Sequence, residues 1–308
     1  MRTRRTSLSL DLALLALLAC LVGFIAYRIT VHLDYAWHWG EIPQYILRHD
    51  DRTGRWVPNY LLRGLFTTLR LSLWGGLLAL ALGLAMALAR TGRSLYWRLI
   101  ARTYVLLLRN LPPLVIIFLF YFFLADQLIP HLALDVRARQ AGSGVRWLLS
   151  LLVAEPGSIS AFLSAVCTLA LFEGAYITEI LRAGIESVER GQWEAAHALG
   201  LRRHQVLRHV VLPQAFRQVL PTLAGQFISL VKDSSIVSVI SIQELTYQGS
   251  QLMASTYLTI EVWVTVALMY MLLTFPCSLL VARLEARLAR RHGDGHDRGC
   301  LCRGEEVL

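Results

Sequence analysis

The sequence predicts an all-α polytopic membrane protein with about six transmembrane helices. Three observations predict it. Of 308 residues, 56% are hydrophobic and the mean hydropathy is +0.51, too apolar for a water-soluble domain of this length. The apolar residues gather in runs of about 20, the length a helix needs to cross the hydrocarbon core of a bilayer. The formal net charge is +9, almost all of it arginine, with Lys232 the only lysine. These arginines flank the apolar runs, which favours membrane orientation over nucleic-acid binding as their purpose.

The elements follow in order. Arg2, Arg4 and Arg5 precede the apolar run Leu10 to Ile29. A secretory signal peptide is the competing reading, but the run ends in Tyr27-Arg28 without a small-x-small cleavage site, so it reads as a first transmembrane helix. Residues 31–58 carry Trp37, Trp39 and Trp56 and read as a segment lying at the headgroup level. His32, His38 and His49 lack regular ligand spacing and read as surface histidines. Asn59 to Ala89 is the second span, with Gly64, Gly75, Gly76 and Gly83 permitting close helix contacts. A basic loop, Arg90 to Arg102, leads to the third span, Tyr104 to Leu124. Pro112-Pro113 must disturb its early turns, because two backbone donors are missing.

Residues 125–156 read as an irregular polar connection, and Gly157 to Gly184 as the fourth span, carrying Glu173, Glu179 and Arg182. Glu179 and Arg182 stand at i,i+3 and can pair on one helix face. Gln214 to Ile240 is the fifth span, interrupted by Lys232-Asp233-Ser234-Ser235, with Pro221 expected to kink it. Residues 241–258 are polar and contain no Arg or Lys. Thr259 to Val281 is the sixth span, and residues 291–308 are an expected disordered tail. The division is thus 1–58 for an N-terminal helix and external segment, 59–290 for a transmembrane domain, and 291–308 for the tail. Cys20, Cys167 and Cys277 fall in spans, and Cys300 and Cys302 in the tail, without zinc or disulfide spacing.

The N-terminus, loop 90–102, loop 182–212 and tail 283–308 hold 3, 4, 5 and 6 Arg. The other connections hold three, three and none. By the positive-inside rule both termini are cytoplasmic, which six spans make self-consistent.

The most informative stretch is residues 183–213, AGIESVERGQWEAAHALGLRRHQVLRHVVLP, which contains the loop 185–213 between the fourth and fifth spans. It reads as two short helices, about Glu189 to Leu199 and Arg202 to Val211, broken at Gly200. The second places Val206, Leu207, Val210 and Val211 on one face. Pro213 suits a first helical turn. Glu194-Ala195-Ala196, Gly200, Val210, Leu212 and Pro213 have the spacing E-A-A, three residues, G, nine residues, I, x, L-P, with Val210 in place of Ile. An amphipathic hairpin on the lipid surface is the bland reading. The spacing resembles the EAA loop of ABC importer permeases. That resemblance implies the type I importer permease fold, and a loop that docks in a cleft of a separate ATPase subunit.

The resemblance covers roughly Asn59 to Arg287. LLRGLFTTLRLSL (61–73), YVLLLRNLPPLVIIFLFYF (104–122), AYITEILRAGIESVERGQWEAAHALGL (175–201) and LPQAFRQVLPTLAGQFISLVKDSSIVSVISIQELT (212–246) look like the polar amino acid permeases of the histidine/glutamine/glutamate group. The chain departs from that group's R-G-T-P at Arg109-Asn110-Leu111-Pro112 and from its K-D-T-S-L at Lys232 to Ile236. The resemblance implies a permease subunit of an importer in the bacterial inner membrane, working by alternating access. It implies as partners an ABC ATPase, a second permease subunit and an extracytoplasmic solute-binding protein. No G-x-x-x-x-G-K-[ST] sequence occurs, so this chain is expected to be no enzyme and to carry no cofactor, ATP being bound by the ATPase.

Charged groups inside spans face protein or a water-filled path by default. Glu173, Lys232, Asp233, Ser234 and Ser235 are therefore candidates for the translocation path. The alternatives are that Glu173 bonds a neighbouring helix and that Lys232 and Asp233 pair within the protein. Arg63 and Arg70 offer charge for a substrate carboxylate, or in the case of Arg63 snorkel outward. Two rival functions are an ion-gradient-driven secondary transporter, which calls for inverted repeats, and a membrane scaffold or enzyme, which calls for a reactive cluster.

Overall fold

The computed structural model describes residues 3–32, 35–51 and 54–301. Backbone contacts divide the chain into two units, Met1–Glu41 and Ile42–Leu308. The first contains one helix, α1 (Thr3–His32), and a 3-10 turn, Trp39–Glu41. Leu12–Phe24 is the apolar stretch of α1. The rings of Tyr35 and Trp37 meet edge to face at 5.1 Å, and those of Trp37 and Trp39 stack at 6.0 Å.

The second unit opens with α2 (Ile42–Ile46) and a hairpin, β1 (Leu47–Asp50) and β2 (Arg55–Pro58). The strands are antiparallel, with Leu47 opposite Pro58 and Asp50 opposite Arg55. Asn59 N–H donates to the Ile46 carbonyl at 2.9 Å, and its side chain donates to Gln44 O at 2.6 Å. Residues 42–58 are thereby fastened to the helix that follows.

That helix is α3 (Tyr60–Thr91), followed by α4 (Leu95–Asn110) and α5 (Pro113–Leu119). The chain from α4 to Phe123 bends by 119°, so the third span is a broken pair rather than a helix with disturbed first turns. The cause is local. Leu111, preceding a proline, is pushed to extended backbone (φ −98°, ψ 147°), and neither proline can donate to continue α4. Residues 95–102, expected as loop, form the amphipathic start of α4.

After a π stretch (Phe120–Ala125) come the short helices α6 (Asp126–Leu128), α7 (Leu134–Gln140) and α8 (Ser143–Leu152), where an irregular connection was expected. Arg70 donates to the Ser150 carbonyl at 2.7 Å and Trp74 to the Leu152 carbonyl at 2.8 Å, satisfying orphan carbonyls at the end of α8. Arg63 likewise donates to the Pro58 carbonyl at 3.0 Å. Both arginines offered to a substrate carboxylate are thus engaged with backbone.

The remaining helices are α9 (Ile159–Glu186), α10 (Arg190–Ala198), α11 (Arg203–Val206), α12 (Leu212–Asp233), α13 (Leu245–Thr256) and α14 (Thr259–Leu301). A π turn, Leu207–Val211, joins α11 to α12 without a break, so the second short helix of the polar stretch is the beginning of the fifth span. The proline ring at 213 would crowd the carbonyl four residues back in a regular helix, and a wider turn just before it relieves that crowding. A 3-10 stretch, Ser234–Ile240, closes this span. α14 continues through the Arg- and Ala-rich stretch 283–291, and its bounds take in residues 291–301 of the expected disordered tail. Residues 302–308, with Cys302, lie outside the described residues.

Among the described residues four helices are long and apolar enough to cross a membrane, and five if α4 and α5 count as one bent span. These correspond to the second through sixth expected segments; α1, with its shorter apolar stretch Leu12–Phe24, is not among them. α3 packs along α9 and touches α12 and α13 as well. Its glycines permit this. A Cβ on Gly83 would meet Ile177 at 2.6 Å, one on Gly76 Phe227 at 3.1 Å, and one on Gly64 the Leu245 backbone at 2.9 Å.

Candidate functional site

The polar elbow begins where α9 ends. Ser187 Oγ donates to the Gly184 carbonyl at 2.8 Å and lies 2.8 Å from Gln218 Oε1 of α12. α10 stops at Gly200, whose φ is +75°. The Gly200 N–H donates to His197 O at 2.9 Å and the Leu201 N–H to Ala196 O at 3.3 Å, the paired bonds of a Schellman turn. No atom lies within 4 Å of a Cβ built on Gly200, so the position demands glycine for its backbone angle and not for space. Arg203 then donates to the Thr91 carbonyl at 2.7 Å, tying α11 to the end of α3.

The elbow has two faces. Ala196, Val206 and Val211 are buried in one apolar cluster with Ala79 and Ala87 of α3, Ile177, Leu181 and Ile185 of α9, and Ala215 and Val219 of α12. Val210 and Leu212 pack half-buried against it. Glu194, Ala195 and Pro213 are exposed. Ala196 was grouped with the residues facing a partner; it is 3% exposed and faces the spans, because it stands beside the helix stripe that includes Trp193. Leu199, 80% exposed at the tip, was missed. Its signal in the sequence was a bulky apolar residue immediately before the turn glycine.

The path candidates separate. Glu173 is fully buried in α9, and its Oε2 accepts from Gln226 of α12 at 2.7 Å, so it does bond a neighbouring helix. Its Oε1 has no hydrogen-bond partner, and the Asp233 carboxyl is its electrostatic neighbour. Lys232 is exposed and makes no ion pair with Asp233 among the described residues. Ser234 is buried and donates to the Val231 carbonyl at 2.8 Å, which satisfies it inside the protein; Ser235 is half-buried. Gln226 also lines a cavity of about 440 Å³ with Arg109, Tyr176, Glu179 and Thr222. The Arg109 guanidinium lies 5.5 Å from the centre of the Tyr176 ring.

Glu179 and Arg182 pair as their spacing implies, and the structure enlarges the pair to a network: Arg90 also binds Glu179, and Arg182 also binds Glu186. This network forms one wall of a larger cleft, about 710 Å³, whose other wall is α4.

A second buried acid lies between the fifth and sixth spans. Glu244 caps α13, accepting from Tyr247 N–H at 2.8 Å and Thr246 N–H at 2.9 Å. Tyr270 donates to it at 2.8 Å from α14, and Thr68 at 3.4 Å from α3. Burial pushes its carboxyl up to about 7, against the pull of these donors. In sequence it sat inside a run that read only as polar.

Comparisons with known proteins agree with this geometry. The family described as binding-protein-dependent transport system inner membrane component matches residues 79–290. A probable glutamine ABC transporter permease protein of Bacillus subtilis is 36% identical over 213 residues, 68% of this chain and 85% of the relative. A glutamine transport system permease protein of Escherichia coli K12 is 33% identical over 228 residues, 74% of this chain and 92% of the relative. The crystal structure of an amino acid ABC transporter with histidines superposes with a TM-score of 0.57 at 31% identity, covering 74% of this chain and 94% of that one.

Proposed function

This chain belongs to the binding-protein-dependent transport system inner membrane component family, and on that premise we propose a substrate, an orientation and a coupling route for it. It is a membrane-spanning permease subunit of an ATP-driven importer, not an enzyme, and a separate ATPase subunit completes the transport complex.

The solute we propose is a polar amino acid. Relatives at 33–36% identity whose names specify glutamine support this, as does the chemistry of the cavity. Arg109 lines the cavity and offers a cation for a carboxylate, while Glu173, buried beside Asp233, stands behind the cavity wall. Gln226 joins the two by bonding Glu173 and lining the cavity. Lys232, Asp233 and Ser235 continue the path, whereas Ser234 holds the break in α12 from within.

The orientation we propose has both termini and the elbow on the cytoplasmic side of a bacterial inner membrane; the arginine counts support it. Two permease subunits flank the path and an external binding protein delivers the solute. ATP and its metal belong to the ATPase, and this chain holds no cofactor.

The observation that carries the coupling route is the two-faced elbow. Its inner face is part of the same apolar cluster as α3, α9 and α12, so a push on α10 moves the spans as a body. Its outer face leaves Glu194, Ala195 and Leu199 free for the ATPase, with Gly200 setting the angle and Val210, Leu212 and Pro213 leading into α12. The test is ATP turnover in vesicles holding all subunits. Glu194→Lys should abolish solute-stimulated turnover while the complex still inserts. Normal stimulated turnover in that variant, or uptake that survives ATP removal and collapses with an ion gradient, removes the proposal.

A further inference from the structure

The cleft between α4 and the ends of α3 and α9 carries charge that transport leaves unused. Its residues fall into two sets. Arg90, Arg182, Glu179 and Glu186 neutralise one another, two cations against two anions. Arg98 and Arg102 line the same cleft without an acidic partner among the described residues. They stand at i,i+4 on α4, so they share a face and repel. An uncompensated row of guanidiniums lining a cavity of about 710 Å³ attracts an anion, and guanidinium geometry matches phosphate oxygens.

The cleft is also amphiphilic. Leu95, Leu99 and Leu106 line it beside the arginines, and all three are exposed. Tyr96 and Trp97, exposed on the first turn of α4, are the residue types that settle at the headgroup layer. A soluble anion has no use for the leucines; a phospholipid has. The charge count places this end of α4 in the cytoplasmic leaflet, where anionic lipids collect against basic pockets between helices.

We propose that this cleft is a binding site for the phosphate headgroup of an anionic phospholipid. Arg98 and Arg102 hold the phosphate oxygens, and Leu95, Leu99 and Leu106 take the upper part of the acyl chains. A bound headgroup would brace α4 against the ends of α3 and α9, the helices that carry the elbow.

Native mass spectrometry of the intact importer complex tests this, with phosphatidylglycerol and phosphatidylcholine titrated separately. The complex should retain phosphatidylglycerol and not phosphatidylcholine. Arg98→Gln with Arg102→Gln should weaken retention about thirtyfold, whereas Arg137→Gln with Arg139→Gln should leave it unchanged. Competition by inorganic phosphate separates the two sources of the shared chemistry: undiminished lipid retention supports the lipid site, and full displacement overturns it in favour of a soluble anion. Equal retention by the double variant overturns it too, as does a cross-link from Ser94→Cys to a second subunit in a complex that holds no lipid. The site rests on the inward orientation of this end. Impermeant thiol labelling of Ser94→Cys in sealed vesicles tests that orientation by itself, so its failure is told apart from failure of the lipid site.

Discussion

Two connections join long helices in this chain and solve the problem in opposite ways. The elbow between α9 and α12 turns at Gly200, buries alanine and valine, and leaves its glutamate, Glu194, in solvent. The connection between α12 and α14 turns at Ser241 (φ 62°) and Tyr257 (φ 61°), neither of them glycine, and buries its glutamate, Glu244, completely. The first leaves its charge exposed; the second spends its charge on holding three helices, α3, α13 and α14, at one point. The same side chain is solvent-facing in one place and a keystone in the other, and burial decides which.

The sharpest way to break this comparison is to remove both carboxylates. Glu244→Ala would leave two half-buried N–H groups and the Thr68 hydroxyl without their acceptor, while Tyr270 keeps Thr246, and should destabilise the complex by about 3 kcal/mol. Glu194→Ala should change stability by less than about 0.5 kcal/mol and still reduce solute-stimulated ATP turnover. Thermal unfolding of the purified complex, read beside turnover, checks both. Equal losses of stability would mean the two connections are built alike.

pH sharpens the contrast. The Glu244 carboxyl, ordinarily near 4.5, sits at about 7 in the folded chain. Between those values the folded state keeps a proton that the unfolded state releases. Its contribution to stability is therefore fully present below about pH 4.5 and is lost as pH rises through about 7. The whole change is about 3 kcal/mol. Glu244→Gln should flatten the decline in melting temperature across that window. Glu194→Gln should leave the slope as it is. A wild-type slope that survives Glu244→Gln would place the titrating group elsewhere.

The same contrast explains what was legible in sequence. Gly200 marked its own turn because the left-handed backbone excludes most residues, and the valine spacing after it marked the buried face. The spans were legible from hydropathy because lipid forces whole runs to be apolar. The connection between α12 and α14 gave no such signal. Left-handed turns at Ser241 and Tyr257 use residues that announce nothing, and a buried glutamate looks like any polar residue until its donors are placed around it. The break at Pro112-Pro113 was visible, but its 119° bend was not, since proline states where a helix stops and not where the chain goes next. The cleft arginines were counted for orientation; only the helix through residues 95–102 sets Arg98 and Arg102 on one face.

The two kinds of turn make the smallest prediction and the most direct one. Gly200→Ala places a Cβ on a left-handed residue with open space around it, so the loss is purely conformational, about 1 kcal/mol. Tyr257 has the same sign of φ and a side chain 83% exposed, so little packing is lost by its removal. Tyr257→Gly relieves a strain of about 1 kcal/mol and gives part of it back through the greater freedom of glycine in the unfolded chain. The net should be a gain of a few tenths of a kcal/mol, and Tyr257→Asn should behave similarly without the entropic loss. Melting temperatures of the three variants should therefore move in opposite directions, down for Gly200→Ala and slightly up at position 257. If Tyr257→Gly instead falls as far as Gly200→Ala, the tyrosine ring is holding this turn by resting at the membrane surface, and the connection between α12 and α14 is secured by lipid as well as by Glu244.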